Sequence, residues 1–214
     1  MSLSGRIGAA SALVVSLVIA VGGASFARAE QRAEELFELC AICHGDDASG
    51  NFEYGAPAIA GMAAWSVETQ LNKFRDGQRG MHFDDILGMR MRPMALTLRS
   101  EADIAAVAAY VASMPKTRPA AQLEGGDAAT GKTLYAPCVA CHGMDGEGRE
   151  QMFASPLANV SDWYLLRQLE NFKAGVRGGR PGDQSGAMMR AMSGTLTSEQ
   201  MMKDIIAHIM TLAK

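Results

Sequence analysis

Several things are scarce in this chain of 214 residues, and each scarcity excludes something. Only four residues are cysteine, all within two pentapeptides, so no thiol is left over for another role. Charged residues make up only 20%, the formal net charge is −3, and no basic run stands out, which argues against a nucleic-acid partner. After residue 29 no stretch is long and apolar enough to span a membrane. No strand-period alternation is visible either, while the 48% apolar content allows a packed core.

The first 29 residues read as a separate object. Arg6 gives a positive start, Leu13 to Val21 is a compact apolar run, and Ala27-Arg28-Ala29 supplies small residues where a signal peptidase cuts. The expectation is a signal peptide over 1–29 with cleavage near Ala29. Membrane association is expected only if that segment is retained. Cleavage removes two arginines and no acid, leaving a more acidic mature chain.

The rest is written twice. Cys40 and Cys138 are 98 residues apart, and the same offset carries Trp65 to Trp163, Gln70-Leu71 to Gln168-Leu169, Phe74 to Phe172 and Gly77 to Gly175. It also carries the MRPM at Met91 to the MRAM at Met189, Leu98 to Leu196, and Ser100-Glu101 to Ser198-Glu199. A tandem duplication follows, with one unit at 30–114 and a second at 127–214. Between them, 115–126 has the Pro, Gly and polar composition of a linker. Nothing in that segment decides whether the units pack together.

Both units read as all-α. Ala33, Leu36, Phe37 and Cys40 share one helical face, as do Gly131, Leu134, Tyr135 and Cys138, with Asp127 placed as an N-cap. Ile104, Val107, Ala108 and Val111 repeat that spacing, matched by Met202, Ile205, Ile206 and Ile209. Ser100 with Asp103 resembles a capping box, and Pro115 stops the helix that follows. A third helix surrounds Trp65 to Phe74 and its copy. The stretches near 79–93 and 177–191 read as loop. Ala33 and Gly131 are small where the first and last helices of each unit are expected to cross.

The pentapeptides, Cys40-Ala-Ile-Cys43-His44 and Cys138-Val-Ala-Cys141-His142, carry the chemistry. Two cysteines at this spacing form thioethers to the vinyl groups of one haem, and the following His becomes a ligand of its iron. A zinc site needs four ligands, and each pentapeptide supplies three. A thioredoxin-like pair needs a βαβ setting that is missing here. Two copies at equivalent positions predict two covalently bound haem c.

With these motifs, the PAIAG at Pro57, the QL..F..G.R runs from Gln70 and Gln168, the MR.M loops and the terminal helices, each unit resembles a class I cytochrome c domain wrapped around one haem. The tandem resembles the dihaem cytochrome c4 branch, over essentially all of 30–214. The resemblance implies axial iron ligation by His44 and Met91 in unit one and by His142 and Met189 in unit two, since Met on the sixth position raises the potential. Met94 and Met192 repeat at the same offset, so symmetry alone leaves them open. In the family a carbonyl near a proline orients the proximal His; Pro57 matches, but its counterpart in unit two is Ser155, one residue before Pro156.

His82 reads as a surface residue and His208 as a packing residue; Trp65 and Trp163 read as core or haem-packing side chains. The resemblance implies a periplasmic carrier of single electrons. Its expected donor is a quinol-oxidising complex or dehydrogenase, and its expected acceptor a terminal oxidase. A rival is the dihaem subunit of a dehydrogenase such as flavocytochrome c sulfide dehydrogenase. A haem enzyme needs an open distal site, which the Met in each unit argues against.

Overall fold

The computed structural model describes residue 28 and residues 30–212; the expected leader lies almost wholly outside the described residues. Unit one is built from α1 (30–44), α2 (Ala64–Arg75), α3 (Ile86–Thr97) and α4 (Glu101–Ser113). Unit two repeats the plan with α5 (Ala128–Leu134), α6 (Val139–His142), α7 (Asp162–Lys173), α8 (Gln184–Gly194) and α9 (Glu199–Leu212). Among the described residues there is no β-strand, only isolated bridges at Asn51–Ala56 and Arg149–Ala154. No helix among them is long and apolar enough to cross a membrane.

The periodic faces pack as their spacing predicts. Phe37, Val67, Leu71, Phe74, Ile104, Val107 and Val111 form the core of unit one. Tyr135, Val160, Leu165, Ile205, Ile206 and Ile209 form that of unit two. Each unit pairs an aromatic on its first helix with a ring on its last: Phe37 lies 5.4 Å from Tyr110, and Tyr135 lies 5.4 Å from His208. Asp127 caps α5 through the N–H groups of Ala129 and Thr130, and Ser100 caps α4 through that of Asp103.

Two local expectations are corrected. The first helix of unit two is not continuous: Pro137 has no N–H to give, and a 3₁₀ turn at Ala136–Cys138 separates α5 from α6. The stretches read as loop are largely the helices α3 and α8. Their N-caps are Asp85 and Asp183, which accept from Gly88 N (3.1 Å) and Gly186 N (3.0 Å). A Cβ at either glycine would lie 2.0 Å from the capping carboxylate, so only glycine fits under it. The internal Pro93 and the thin apolar stripe hid these helices from a periodicity argument.

The linker does not float. Backbone N–H groups of Gln122 and Leu123 both donate to Asp162 Oδ2 in α7, at 2.8 and 2.9 Å. The two units then meet face to face. Ala58 N donates to Ser161 Oγ, Gln70 Nε2 to Ser155 Oγ, and Phe52 packs edge-on against Trp163 at 5.4 Å.

Candidate haem-binding crevices

Each unit encloses one largely apolar crevice, of about 180 Å³ in unit one and about 260 Å³ in unit two. The first is lined by Cys40, Cys43, His44, Met91 and Met94; the second by Cys138, Cys141, His142, Met189 and Met192. Every predicted thioether and iron-ligand residue therefore faces the crevice of its own unit. His82 lines neither; it stacks on Phe83 at the surface, 4.7 Å between ring centres. His208 is occupied by its contact with Tyr135.

The histidines are set up alike. His44 Nδ1 lies 2.9 Å from the carbonyl of Pro57, and His142 Nδ1 lies 2.9 Å from that of Ser155. A carbonyl only accepts, so the proton sits on Nδ1 and the Nε2 lone pair is left for a metal. Burial depresses both imidazoles below their ordinary value, against the opposing carbonyl bond, which keeps them neutral as ligands must be. The missing proline of unit two costs nothing, because the partner is backbone.

The cysteines are unpaired. Burial, and then Cys43 beside it, pushes the Cys40 thiol up to about 11, and the same two causes raise Cys138. Neither Cys40 nor Cys138 is held as a thiolate.

The residues best suited to an anionic group lie where the crevices meet. Arg79 and Arg177 are buried, each stacked on the phenylalanine five residues before it, at 4.1 and 4.3 Å. Both share Gln70 Oε1, at 2.7 and 3.4 Å, and each keeps a buried Nε without a partner. Two buried guanidiniums with orphaned donors call for carboxylates. A haem brings two carboxylates on its propionate arms, which fit this demand. Both arginines end the QL..F..G.R repeat, and their 98-residue spacing is the one signal of a shared role that the sequence carries.

Each unit also completes the other's crevice. Met62, Ser66, Gln70, Lys73 and Arg79 of unit one line the crevice of unit two, while Val160, Tyr164 and Gln168 of unit two line that of unit one.

The cytochrome c family model matches residues 30–115 and again 128–213. The chain belongs to the cytochrome c family. It is 37% identical over 165 residues to the "thiosulfate dehydrogenase electron acceptor" of Stutzerimonas stutzeri, covering 72% of each chain. It is 27% identical over 211 residues to cytochrome c4 of Pseudomonas aeruginosa, covering 91% of this chain and 94% of that one. Among solved structures, thiosulfate dehydrogenase (TsdBA) from Marichromatium purpuratum superposes with a TM-score of 0.67 at 31% identity, over 85% of this chain and 40% of that one. As a cytochrome c of two domains, the chain carries two covalently bound haem c, through Cys40 and Cys43 and through Cys138 and Cys141. It is a cytochrome c4-like dihaem electron carrier, not an enzyme.

Proposed function

We propose that this cytochrome is a periplasmic carrier that takes single electrons from a dehydrogenase and delivers them to a terminal oxidase, with His44/Met91 and His142/Met189 as the axial pairs. The observation that carries this reading is the pair of apolar crevices, each lined by a neutral His and by methionines. Met91 packs against the unit-one core, and Met192 is more exposed than Met189, which supports Met91 and Met189 over their neighbours. Haem supplies the redox chemistry. The chain holds it by two thioethers, keeps the imidazole proton on Nδ1, neutralises the propionates with Arg79 and Arg177, and excludes water with apolar walls.

For the donor, likeness to a thiosulfate dehydrogenase electron acceptor over 72% of both chains supports an enzyme oxidising a reduced sulfur anion. For the acceptor, 36% identity over 143 residues to the CcoP subunit of a cbb3-type oxidase from Rubrivivax gelatinosus supports an oxidase, although only 40% of that subunit is covered. A second reading is a subunit held in a dehydrogenase complex. The likeness to TsdBA, of which this chain spans 40%, supports it.

Optical spectra of the purified protein, oxidised, reduced, and reduced with carbon monoxide, test the carrier. Two haems, the weak red band of ferric Met ligation and no carbon monoxide adduct are expected. An adduct at either haem overturns the closed-site reading. A dehydrogenase subunit that stays bound through purification overturns the free carrier in favour of the complex.

A further inference from the structure

Several polar side chains at the interface between the units recur in both repeats, and one buried charge there does not. Gln70 and Gln168, Arg79 and Arg177, and Asp85 and Asp183 are repeat pairs, but Lys73 corresponds to Asn171. Lys73 leaves α2 and crosses into unit two, where Nζ lies 2.6 Å from Asp183 Oδ1 and 2.6 Å from Ser185 Oγ. The pair is enclosed, with side-chain exposure of 12% for Lys73 and 2% for Asp183. Lys73 lines the crevice of unit two and not that of unit one. Asp85, which does line the crevice of unit one, is held by the N–H groups of Gly80 and Gly88, and no salt bridge among the described residues reaches it.

The electrostatic consequence is one-sided. Reducing a haem iron adds one negative charge to its crevice. A buried cation beside it favours the reduced form and raises the potential, and a buried carboxylate does the reverse. In a poorly solvated interface such charges act over longer distances than at the surface. In unit two the carboxylate at the start of α8 is countered by an ammonium. In unit one the same carboxylate stands without one.

We propose that Lys73, a residue of the first domain, is the positioning charge that sets the reduction potential of the second domain's haem and leaves that of the first largely alone. This rests only on one haem occupying each crevice, and on no identity of donor or acceptor. The first domain thereby tunes the second domain's haem, so the potential of that haem depends on the domains being docked.

The test is a potentiometric titration of the dihaem protein, with the shifted haem methyl NMR signals following each haem separately. Lys73→Met is expected to lower the potential of the second haem, and Asp183→Asn to raise it, with the first haem moving less than half as far in both. Lys73→Arg, which keeps the charge, is expected to leave the second haem near its wild-type value. Both neutralising variants break the same ion pair, so loss of domain docking alone moves the second haem the same way in both. Shifts of equal sign, a first haem that moves as far as the second, or no shift at all overturns the proposal. A haem count other than two, measured on the same samples, defeats the cofactor premise instead.

Discussion

Arg79 reaches out of unit one and donates from Nη2 to the Tyr164 hydroxyl of unit two at 2.9 Å. Its partner across the interface, Arg177, donates to Gln168 Oε1 at 2.6 Å and, among the described residues, to no tyrosine. The repeat position of Tyr164 is Ser66, whose hydroxyl is buried without a partner. Burial, and then Arg79, pulls the Arg177 guanidinium down to about 9, which leaves it charged at neutral pH. Burial raises the Tyr164 hydroxyl, but the two arginines outweigh it and hold the phenol below its usual value. A hydroxyl is thus fixed as acceptor in one half of a duplicated interface and has no protein partner in the other.

This asymmetry gives a paired prediction. Tyr164→Phe strips a buried guanidinium of an acceptor and is expected to lower stability by about 1–3 kcal/mol. Ser66→Ala removes a hydroxyl with no protein partner and is expected to cost less than Tyr164→Phe. Urea midpoints of the two holo variants, compared with wild type at fixed pH, check the pair. Equal losses in both would remove the bond from the account of the interface.

The axial ligands predict a second outcome. Met91→Ala and Met189→Ala are each expected to open one haem to carbon monoxide in the reduced protein and to remove half of the red ferric Met band. Met94→Ala and Met192→Ala are expected to leave both haems closed. If Met94→Ala or Met192→Ala opens a site instead, the ligand of that unit is the later methionine of the repeat.

Ser155 supplies the third. Its carbonyl holds His142, while its hydroxyl accepts from Gln70 Nε2 at 3.2 Å. Ser155→Ala keeps the carbonyl, so the reduced absorption spectrum of the second haem is expected to stay unchanged, with a stability loss of about 0.5–1.5 kcal/mol from the lost hydrogen bond. A changed spectrum would mean that the side chain, and not the backbone, positions the histidine.

Ser155 also shows where reading the sequence succeeds and where it stops. The pentapeptides, the duplication and the buried faces of the first and last helices are local patterns, and local patterns survive in one dimension. Helices α3 and α8 leave no clear apolar stripe in the sequence, because the Asp85 and Asp183 caps and the glycines fitted beneath them set where these helices start. Pro57 and Ser155 differ as side chains but not as carbonyls, so the change of residue leaves the histidine's partner in place. The arginine junction was harder still. Arg79, Gln70, Lys73 and Tyr164 look like ordinary polar positions until the two units are placed together, and their partners lie 85 to 112 residues away.

Gly131 carries the last prediction, and it tests the helix crossing that organises each unit. Gly131 is a helical residue of α5, where glycine is ordinarily a penalty of about 1 kcal/mol against alanine. Propensity alone therefore predicts that Gly131→Ala stabilises the chain. The packing predicts the opposite: a Cβ at Gly131 would lie 1.8 Å from the carbonyl oxygen of Asp204 and 2.4 Å from its carbon, both backbone atoms of α9. Backbone does not rotate away as a side chain does, so α5 and α9 must separate and Tyr135, Ile205 and Ile209 lose their fit. Overpacking of this kind costs about 1–3 kcal/mol or more. The repeat position in unit one is Ala33, which is buried at 6% exposure and so already accommodates a methyl group on α1. Gly131→Ala is accordingly expected to lower the unfolding midpoint and loosen the second haem first, seen as carbon monoxide binding there at denaturant concentrations that leave the first haem closed. Stabilisation by the alanine would show that helix propensity outweighs the close approach of α5 and α9.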